Sequence, residues 1–533
     1  MEKIYFNGNI LTINENNDKV SAIAIANGKI AAVGNDDSIL ALKGANTEVI
    51  DLQGKTMLPG FIDAHSHLFQ TGLRFATEAN LNSPVLGPIK CIDDIINTLK
   101  ERAAKAPKGK LIKGYGYDDT SLAEKRRVTK YDLDKVSTEH PVIIRHISGH
   151  LHGLNSKALE LLEIYEDTPD PSDGIYCRDP ETGEHNGVIE EALDKINLVL
   201  ASVSKEDEEE AIEKGNIVYS SVGVTLASTG ATRSKREVDL LKQGQEKGVM
   251  KIRVLLNRAE ITLESLKDFQ GYDEMFYKGT GKTFQDGSIQ GYTGYLREPY
   301  HVPFQGDKSY RGYPIRPVAD LIKIVEKFHT QGDQMQIHCN GDQAIEDVLD
   351  AIEDVQKRYP HEDMRHIAVH AQMTREDQLD RMQKLGVIPS FFVLHPYYWG
   401  DRHRDIFMGP ERAARMSPLK SALDRGMKFT IHCDTPVVPQ EPLRLIWGAV
   451  NRLSSSGKVI GEAQRIDVWN AIKAITINAA YQYKLEDKMG SIETGKFADL
   501  VILSEDITQM ESEKIKDAFV LETIVNGETI YKA

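Results

Sequence analysis

Short runs of apolar and β-branched residues open the chain: Lys3-Ile-Tyr-Phe6, Ala22-Ile-Ala-Ile25, Ile30-Ala-Ala-Val33 and Val49-Ile-Asp-Leu52. The length of the runs and the turn residues between them predict strands. Asn7-Gly8, Asn27-Gly28 and, near the other end, Asn526-Gly527 each separate two such runs, and Asn-Gly supplies the positive backbone angles a tight hairpin needs. The style returns in Gly490–Leu503 and Thr523–Tyr531, so residues 1–56 and 487–533 are expected to build one composite β-sandwich.

Between these ends β-type runs alternate with helical patterns such as Val318–His329 and Ala344–Lys357, which argues for a parallel sheet covered by helices. Eight strands are predicted, near Met57–His65, Val222–Ala227, Lys251–Asn257, Gly281–Asp286, Gln334–His338, His366–His370, Val387–Val393 and Lys428–Asp434. Eight βα units suggest a (β/α)8 TIM barrel over 57–486, an α/β fold. The gap between the first two strands makes 68–215 a large insertion, with further β runs at Leu111–Gly116 and Val142–His146.

Composition narrows the function classes. Lys and Arg number 65 against 80 Asp and Glu, a formal charge of −15, with the basic residues interspersed among acids, so nucleic acid is not an expected partner. No stretch approaches the roughly 18 apolar residues of a membrane span, and no basic segment followed by an apolar run opens the chain; a soluble, cytoplasmic protein is expected. Cys91, Cys177, Cys339 and Cys433 form no Cys-x-x-Cys pair and are read as buried free thiols.

The candidate chemistry lies in histidines that end apolar runs. His65 and His67, at i and i+2, share one face of a strand. His338 and His370 close the fifth and sixth predicted strands, and Asp434 closes the eighth. Imidazoles at the ends of core strands, joined by a carboxylate, suit a divalent metal and a proton-transfer group.

The motifs Leu58-Pro-Gly-Phe-Ile-Asp-Ala-His-Ser-His67, Ser148-Gly-His-Leu-His-Gly-Leu-Asn-Ser156, Asp286-Gly-Ser288, His338-Cys-Asn-Gly-Asp-Gln-Ala344, His370-Ala-Gln372 and Asp434-Thr-Pro-Val437, with Asn478-Ala-Ala480 and Gly490–Leu500, resemble the amidohydrolase superfamily. Within it they are most similar to the amidohydrolase 3 group, which includes YtcJ-like proteins and N-substituted formamide deformylases. The resemblance implies a metal-binding barrel plus a β-sandwich, with His65, His67, His338 and His370 as metal ligands and Asp434 as ligand and general base and acid. Lys282 matches the position where many members carry a lysine carboxylated by carbon dioxide. Glu190, otherwise read as a solvated helix acid, is a fallback ligand. One or two divalent ions per chain, zinc first, are implied.

Aromatic residues gather after the fourth and seventh strands: Tyr292, Tyr295, Phe391, Phe392, Tyr397, Tyr398 and Trp399. Together with His150, Asp286, His395 and Arg402 they supply candidate contacts for a small-molecule substrate, those assigned being His150, Asp286, Tyr292, His395 and Trp399. His152 and His432 depart from the commoner wording of the family. The expected reaction is hydrolysis of a non-peptide C–N bond, an amide or N-formyl or N-acyl amine, by metal-bound hydroxide with Asp434 moving the proton. Deamination of an amino-substituted ring is the alternative, lactone or carbamate hydrolysis a third enzymatic option, and a barrel without catalysis the non-enzymatic one. A homodimer is the expected assembly.

Overall fold

The computed structural model describes all residues except 148–149, 172–173, 192 and 201–202; the side chains of 193–195 and 197 are also left aside. The chain divides into two compact units, Met1–Phe69 with Asn216–Ala533, and Gln70–Gly215.

Eight parallel strands form the central sheet of the first unit: Phe61–Ile62, Val224–Ser228, Arg253–Ala259, Phe276–Phe284, Met335–Cys339, Ile367–His370, Ile388–Phe391 and Thr430–Ile431. Val224–Ser228 and Arg253–Ala259 are buried at every position, as expected of parallel strands covered on both faces. The sheet curls until its outer strands meet: the Asp434 N–H donates to the His65 carbonyl at 3.2 Å, and the His67 N–H to the Thr435 carbonyl at 2.8 Å. The architecture is TIM-barrel-like. Helix Val318–His329 turns Leu321, Val325 and Phe328 inward, at helical spacing, and the Phe328 ring lies where a Cβ on Gly281 would stand. Glycine beside Lys282 thus lets this helix seat against the fourth strand.

The first predicted strand is two strands. Thr56–Pro59 runs antiparallel to Leu500–Leu503 in a sheet made from both chain ends, and only Phe61–Ile62 enters the barrel. Gly60 is the hand-over point: its N–H donates to the Asp499 carbonyl at 2.8 Å, whereas the Phe61 N–H donates to Gly223 at 2.9 Å. Thr225 occupies the space a side chain at Gly60 would need.

Two terminal sheets accompany the barrel. One has four strands from residues 3–51; the other has six and joins Asn9–Leu11, Lys19–Val20 and Thr56–Pro59 to Leu500–Leu503, Val520–Val525 and Glu528–Lys532. Tyr5, Ile23 and Ile25 of the first pack in one apolar core with Ile10, Met57, Leu500, Ile502 and Ile524 of the second. Asn27-Gly28 and Asn526-Gly527 turn antiparallel hairpins, with φ of 52° and 70° and of 52° and 75°. Asn7-Gly8 does not. Both edges of Lys3–Phe6 are taken, by Ala22–Ala26 and Glu48–Asp51, so the chain leaves for the other sheet. Arg253, from the third barrel strand, is fully buried and paired with Asp499 at 2.6 Å, the residue before the terminal strand Leu500–Leu503.

The second unit holds a six-stranded mixed sheet, Gly174–Arg178, His185–Glu191, Leu151–Leu154, Val142–His146, Ile112–Tyr117 and Glu78–Asn80 in spatial order. Helix Ile92–Ala103 buries Ile92, Ile95, Ile96 and Leu99 in a core with Ile112, Val142 and Ile144. Of the four cysteines, all unpaired, Cys339 and Cys433 are buried but Cys91, at the N-cap of helix Ile92–Ala103, and Cys177, on the edge strand Gly174–Arg178, are only half-buried. Among the described residues no helix is long and apolar enough to cross a membrane.

Candidate active site

The expected metal-binding and proton-transfer residues meet at the C-terminal ends of the barrel strands, the side on which barrel loops converge. His65 Nε2 and His67 Nε2 stand 3.4 and 3.3 Å from Asp434 Oδ1, and His370 Nε2 is 3.9 Å from Oδ2. Donor atoms of His65, His370 and Asp434 all lie within 4.8 Å of one another. His338 Nδ1 approaches His370 Nε2 at 3.0 Å, and Lys282 Nζ stands 3.3 Å from His65 Nε2. Non-glycine residues take left-handed backbone angles here, with φ of 70° at His370, 44° at Ala371 and 56° at Asp434. Such conformations persist only where surrounding packing holds them.

Burial sets the electrostatics. It pushes His65 and His370 well below the ordinary imidazole range and His338 down to about 4, with Lys282 among the neighbouring cations adding to the effect. These rings are neutral lone-pair donors at pH 7. Burial opposes ionisation of Asp434, but the close approach of His67 and the nearby His432 and Lys282 hold its carboxyl below the usual range. Burial brings Lys282 down to about 8, against the pull of Asp434.

Asp434 Oδ1 is buried without a hydrogen-bond partner although two imidazole nitrogens face it. An ionised oxygen in that position is costly unless a cation satisfies it. Imidazole nitrogens and a carboxylate are the donor set that zinc and related ions take, so the side chains present fit a divalent cation.

The polar residues expected to meet substrate divide. Asp286 accepts the backbone N–H groups of Tyr295, Asn340 and Gly341 at 2.9, 2.9 and 2.8 Å and so pins two loops together. Burial still lifts its carboxyl to about 7. His395 stacks on Phe392, centroids 4.3 Å apart, and Phe392 lies 6.1 Å from the His370 ring; Trp399 is 5.8 Å from His395. Tyr292 joins Tyr300, Phe304 and Phe407 in a separate aromatic cluster, and Arg402 lies over the Phe407 ring. Phe391, beside His370 in the sheet, packs its ring on Phe429; Tyr397 packs on Trp447, and the Tyr398 hydroxyl bonds Glu441.

Three expected residues belong to the second unit. His150 is exposed with Nδ1 3.0 Å from Glu191. His152 is buried and burial brings it down to about 4. Glu190 lies on a strand, not a helix, and is ion-paired with Arg127, so its charge is already matched. Ser148 and Gly149, which begin the Ser148–Ser156 motif, lie outside the described residues.

Sequence reasoning left His432 out of the site. Its Nε2 stands 3.0 Å from His370 Nδ1. The i, i+2 rule that paired His65 with His67 relates His432 to Asp434 in the same way. A cleft of about 390 Å³ reaches Lys282, lined also by Ala231, Arg233, Ala259, Glu260, Ile261 and Phe284.

The model described as the amidohydrolase family matches residues 48–531. YtcJ of Bacillus subtilis (strain 168) is 28% identical over 549 aligned residues covering 100% of both chains. An N-substituted formamide deformylase of Arthrobacter pascens is 26% identical, over 99% of this chain and 97% of the other. A metal-dependent hydrolase from Pyrococcus horikoshii OT3 superposes with a TM-score of 0.77 at 26% identity, over 96% of this chain and 99% of that one. Atrazine chlorohydrolase from Arthrobacter aurescens TC1, complexed with zinc, shares the fold alone, at a TM-score of 0.51 and 12% identity. With a match over residues 48–531, through the barrel and the C-terminal strands, this chain belongs to the amidohydrolase family.

Proposed function

We propose that the protein is a divalent-metal hydrolase of non-peptide C–N bonds whose substrates are N-formyl or N-acyl amines with an apolar substituent. The observation that carries the reading is the convergence of His65, His370 and Asp434, with His67, His338 and Lys282 around them, at the mouth of the barrel. Two further findings support it: Ala231, Ala259, Ile261 and Phe284 give the cleft an apolar side beside the charged Arg233, Glu260 and Lys282, and one relative is named for N-substituted formamides. The terminal segments 1–56 and 487–533 act as a composite β-sandwich supporting the barrel of 57–486, which carries the insertion 68–215.

His65, His67, His338, His370 and Asp434 would hold zinc, one or two ions per chain, and Lys282 as a carbamate would bridge two. Such an ion, when bound, supplies Lewis acidity, polarising the substrate carbonyl and acidifying water. Asp434 is held ionised, so it accepts the proton of the attacking water as the new C–O bond forms. It returns that proton to the nitrogen as the C–N bond breaks, releasing amine and acid. Phe392, His395 and Trp399 orient the apolar substituent, and Asp286 keeps the loops that carry Tyr295 and Asn340 in register. At pH near 8 a substantial part of Lys282 is the neutral amine that adds carbon dioxide, losing a proton as the carbamate forms.

Metal analysis of protein purified without chelator, intact mass of the Lys282 peptide, and product analysis on N-formyl amines test the reading. Bound metal with formate and amine released together is the expected result. Absence of metal sinks it; ammonia released from an aminated ring, with amides untouched, replaces it by deamination.

A further inference from the structure

From His370 Nδ1 a file of buried polar side chains leads to the Ala64 carbonyl. His370 Nδ1 meets His432 Nε2 at 3.0 Å; His432 Nδ1 meets Ser390 Oγ at 3.0 Å. The Ser390 and Thr430 hydroxyls stand 2.8 Å apart, Thr430 Oγ1 meets Gln482 Oε1 at 2.7 Å, and Gln482 Nε2 donates to the Ala64 carbonyl at 3.1 Å. Ser390, Thr430, His432 and Gln482 have no exposed surface, and His370 is 3% exposed. Each proton in the file therefore has to be placed among these partners.

Only one placement satisfies every contact of the file between the Ala64 carbonyl and His370 Nδ1. The Ala64 carbonyl accepts and never donates, so it takes the Gln482 NH2 and leaves the amide oxygen facing Thr430. That oxygen also only accepts, so it takes the single hydroxyl proton of Thr430. The contact between the two hydroxyls then needs the proton of Ser390, which leaves Ser390 Oγ an acceptor toward His432 Nδ1. A neutral imidazole has one N–H, so His432 carries it on Nδ1 and presents a lone pair at Nε2. That lone pair accepts from His370 Nδ1–H. The reverse arrangement would put two hydroxyl oxygens 2.8 Å apart with no proton between them.

We infer that His432 is a positioning residue: the file from Ala64 through Gln482, Thr430 and Ser390 fixes its tautomer, and His432 in turn keeps the His370 proton on Nδ1, leaving His370 Nε2 a lone pair that faces His338 Nδ1 at 3.0 Å and Asp434 Oδ2 at 3.9 Å. The consequence for binding rests on the reading of His370 as a metal ligand, since a ligating nitrogen must be unprotonated and its partner at the other nitrogen sets which one that is. The buried hydroxyls of Ser390 and Thr430, remote from any substrate, act on the site through this proton order alone.

Two measurements on the full-length chain test the inference. Zinc affinity is read by competition with a chelator for wild type, Ser390→Ala, Thr430→Val and Thr430→Ser. Without the Thr430 hydroxyl, Ser390 is free to donate to His432 Nδ1, the order reverses, and the proton moves to His370 Nε2. Thr430→Val and Ser390→Ala are expected to bind zinc about 10–100-fold more weakly, and Thr430→Ser to recover wild-type affinity. Solid-state 15N spectra of histidine-labelled protein, with His370 assigned through His370→Gln, read the proton position directly, whether or not zinc binds. His370 protonated on Nδ1 in wild type and on Nε2 in Thr430→Val is the expected result. A wild-type His370 protonated on Nε2, or a folded Thr430→Val with unchanged spectra and zinc affinity, overturns the inference. A wild type that binds no zinc yet shows the Nδ1 proton overturns the metal reading and leaves the proton order standing.

Discussion

Asp434 stands in a left-handed backbone conformation, φ 56°, one residue after a buried cysteine and with its own N–H bonded to His65. The carboxylate is thus aimed by the closure of the barrel and not by its own rotamer alone. Asp434→Asn keeps the shape and removes the base, so kcat on an N-formyl amine should fall by about 10²–10⁴-fold, with metal content measured beside it; a kcat within tenfold of wild type would remove Asp434 from the proton path. The histidines that end strands were readable from sequence because strand periodicity and burial act on each locally. His432 is equally accessible to the i, i+2 argument, through Asp434. Backbone angles at His370 and Ala371 leave no sequence signature, since neither is glycine or asparagine and tertiary packing alone holds them.

At the scale of elements, Asp286 links the loop after the fourth strand to the one after the fifth, and Gly341 lies so close to the Tyr295 carbonyl that no Cβ fits. Asp286→Asn faces at least one of those N–H groups with another donor and should cost about 1–3 kcal/mol, read as a shift of the urea midpoint. An unchanged midpoint would show that the loops hold by packing. Helix Val318–His329 and the hairpins at Asn27-Gly28 and Asn526-Gly527 were legible because helical period and turn chemistry are local. Asn7-Gly8 carries the same turn chemistry, but the occupied edges that forbid a hairpin are contributed by residues far along the chain. The run Met57–His65 conceals two strands for a similar reason: a continuous apolar stretch gives no mark of which sheet each part joins.

For the whole molecule, buried imidazoles dominate the response to acid. His65, His152, His338, His366, His370, His395, His403 and His432 are all displaced below 6.5, chiefly by burial. An unfolded chain takes up those eight protons as pH falls through 6.5, whereas the native chain refuses them, so stability present above 6.5 is lost on acidification. Asp63, Glu237 and Asp286, raised by burial to about 7, act oppositely but are three against eight. Protein treated with chelator should therefore have a lower urea midpoint at pH 5.5 than at pH 7.5; an equal or higher midpoint would show that the imidazoles are not buried in solution.

The strand Thr56–Pro59 has consequences in time as well as in space. Its antiparallel partner, Leu500–Leu503, is 444 residues later in the chain. At about 5–20 residues per second on a ribosome, the early strand waits about 20–90 s for that partner, with one apolar edge open. During that interval it is an edge that another nascent chain or a chaperone can pair with, and the barrel must take shape beside a half-built sheet. Leu500–Leu503 close that edge, so a polypeptide released before they are made would carry a barrel with an adhesive flank.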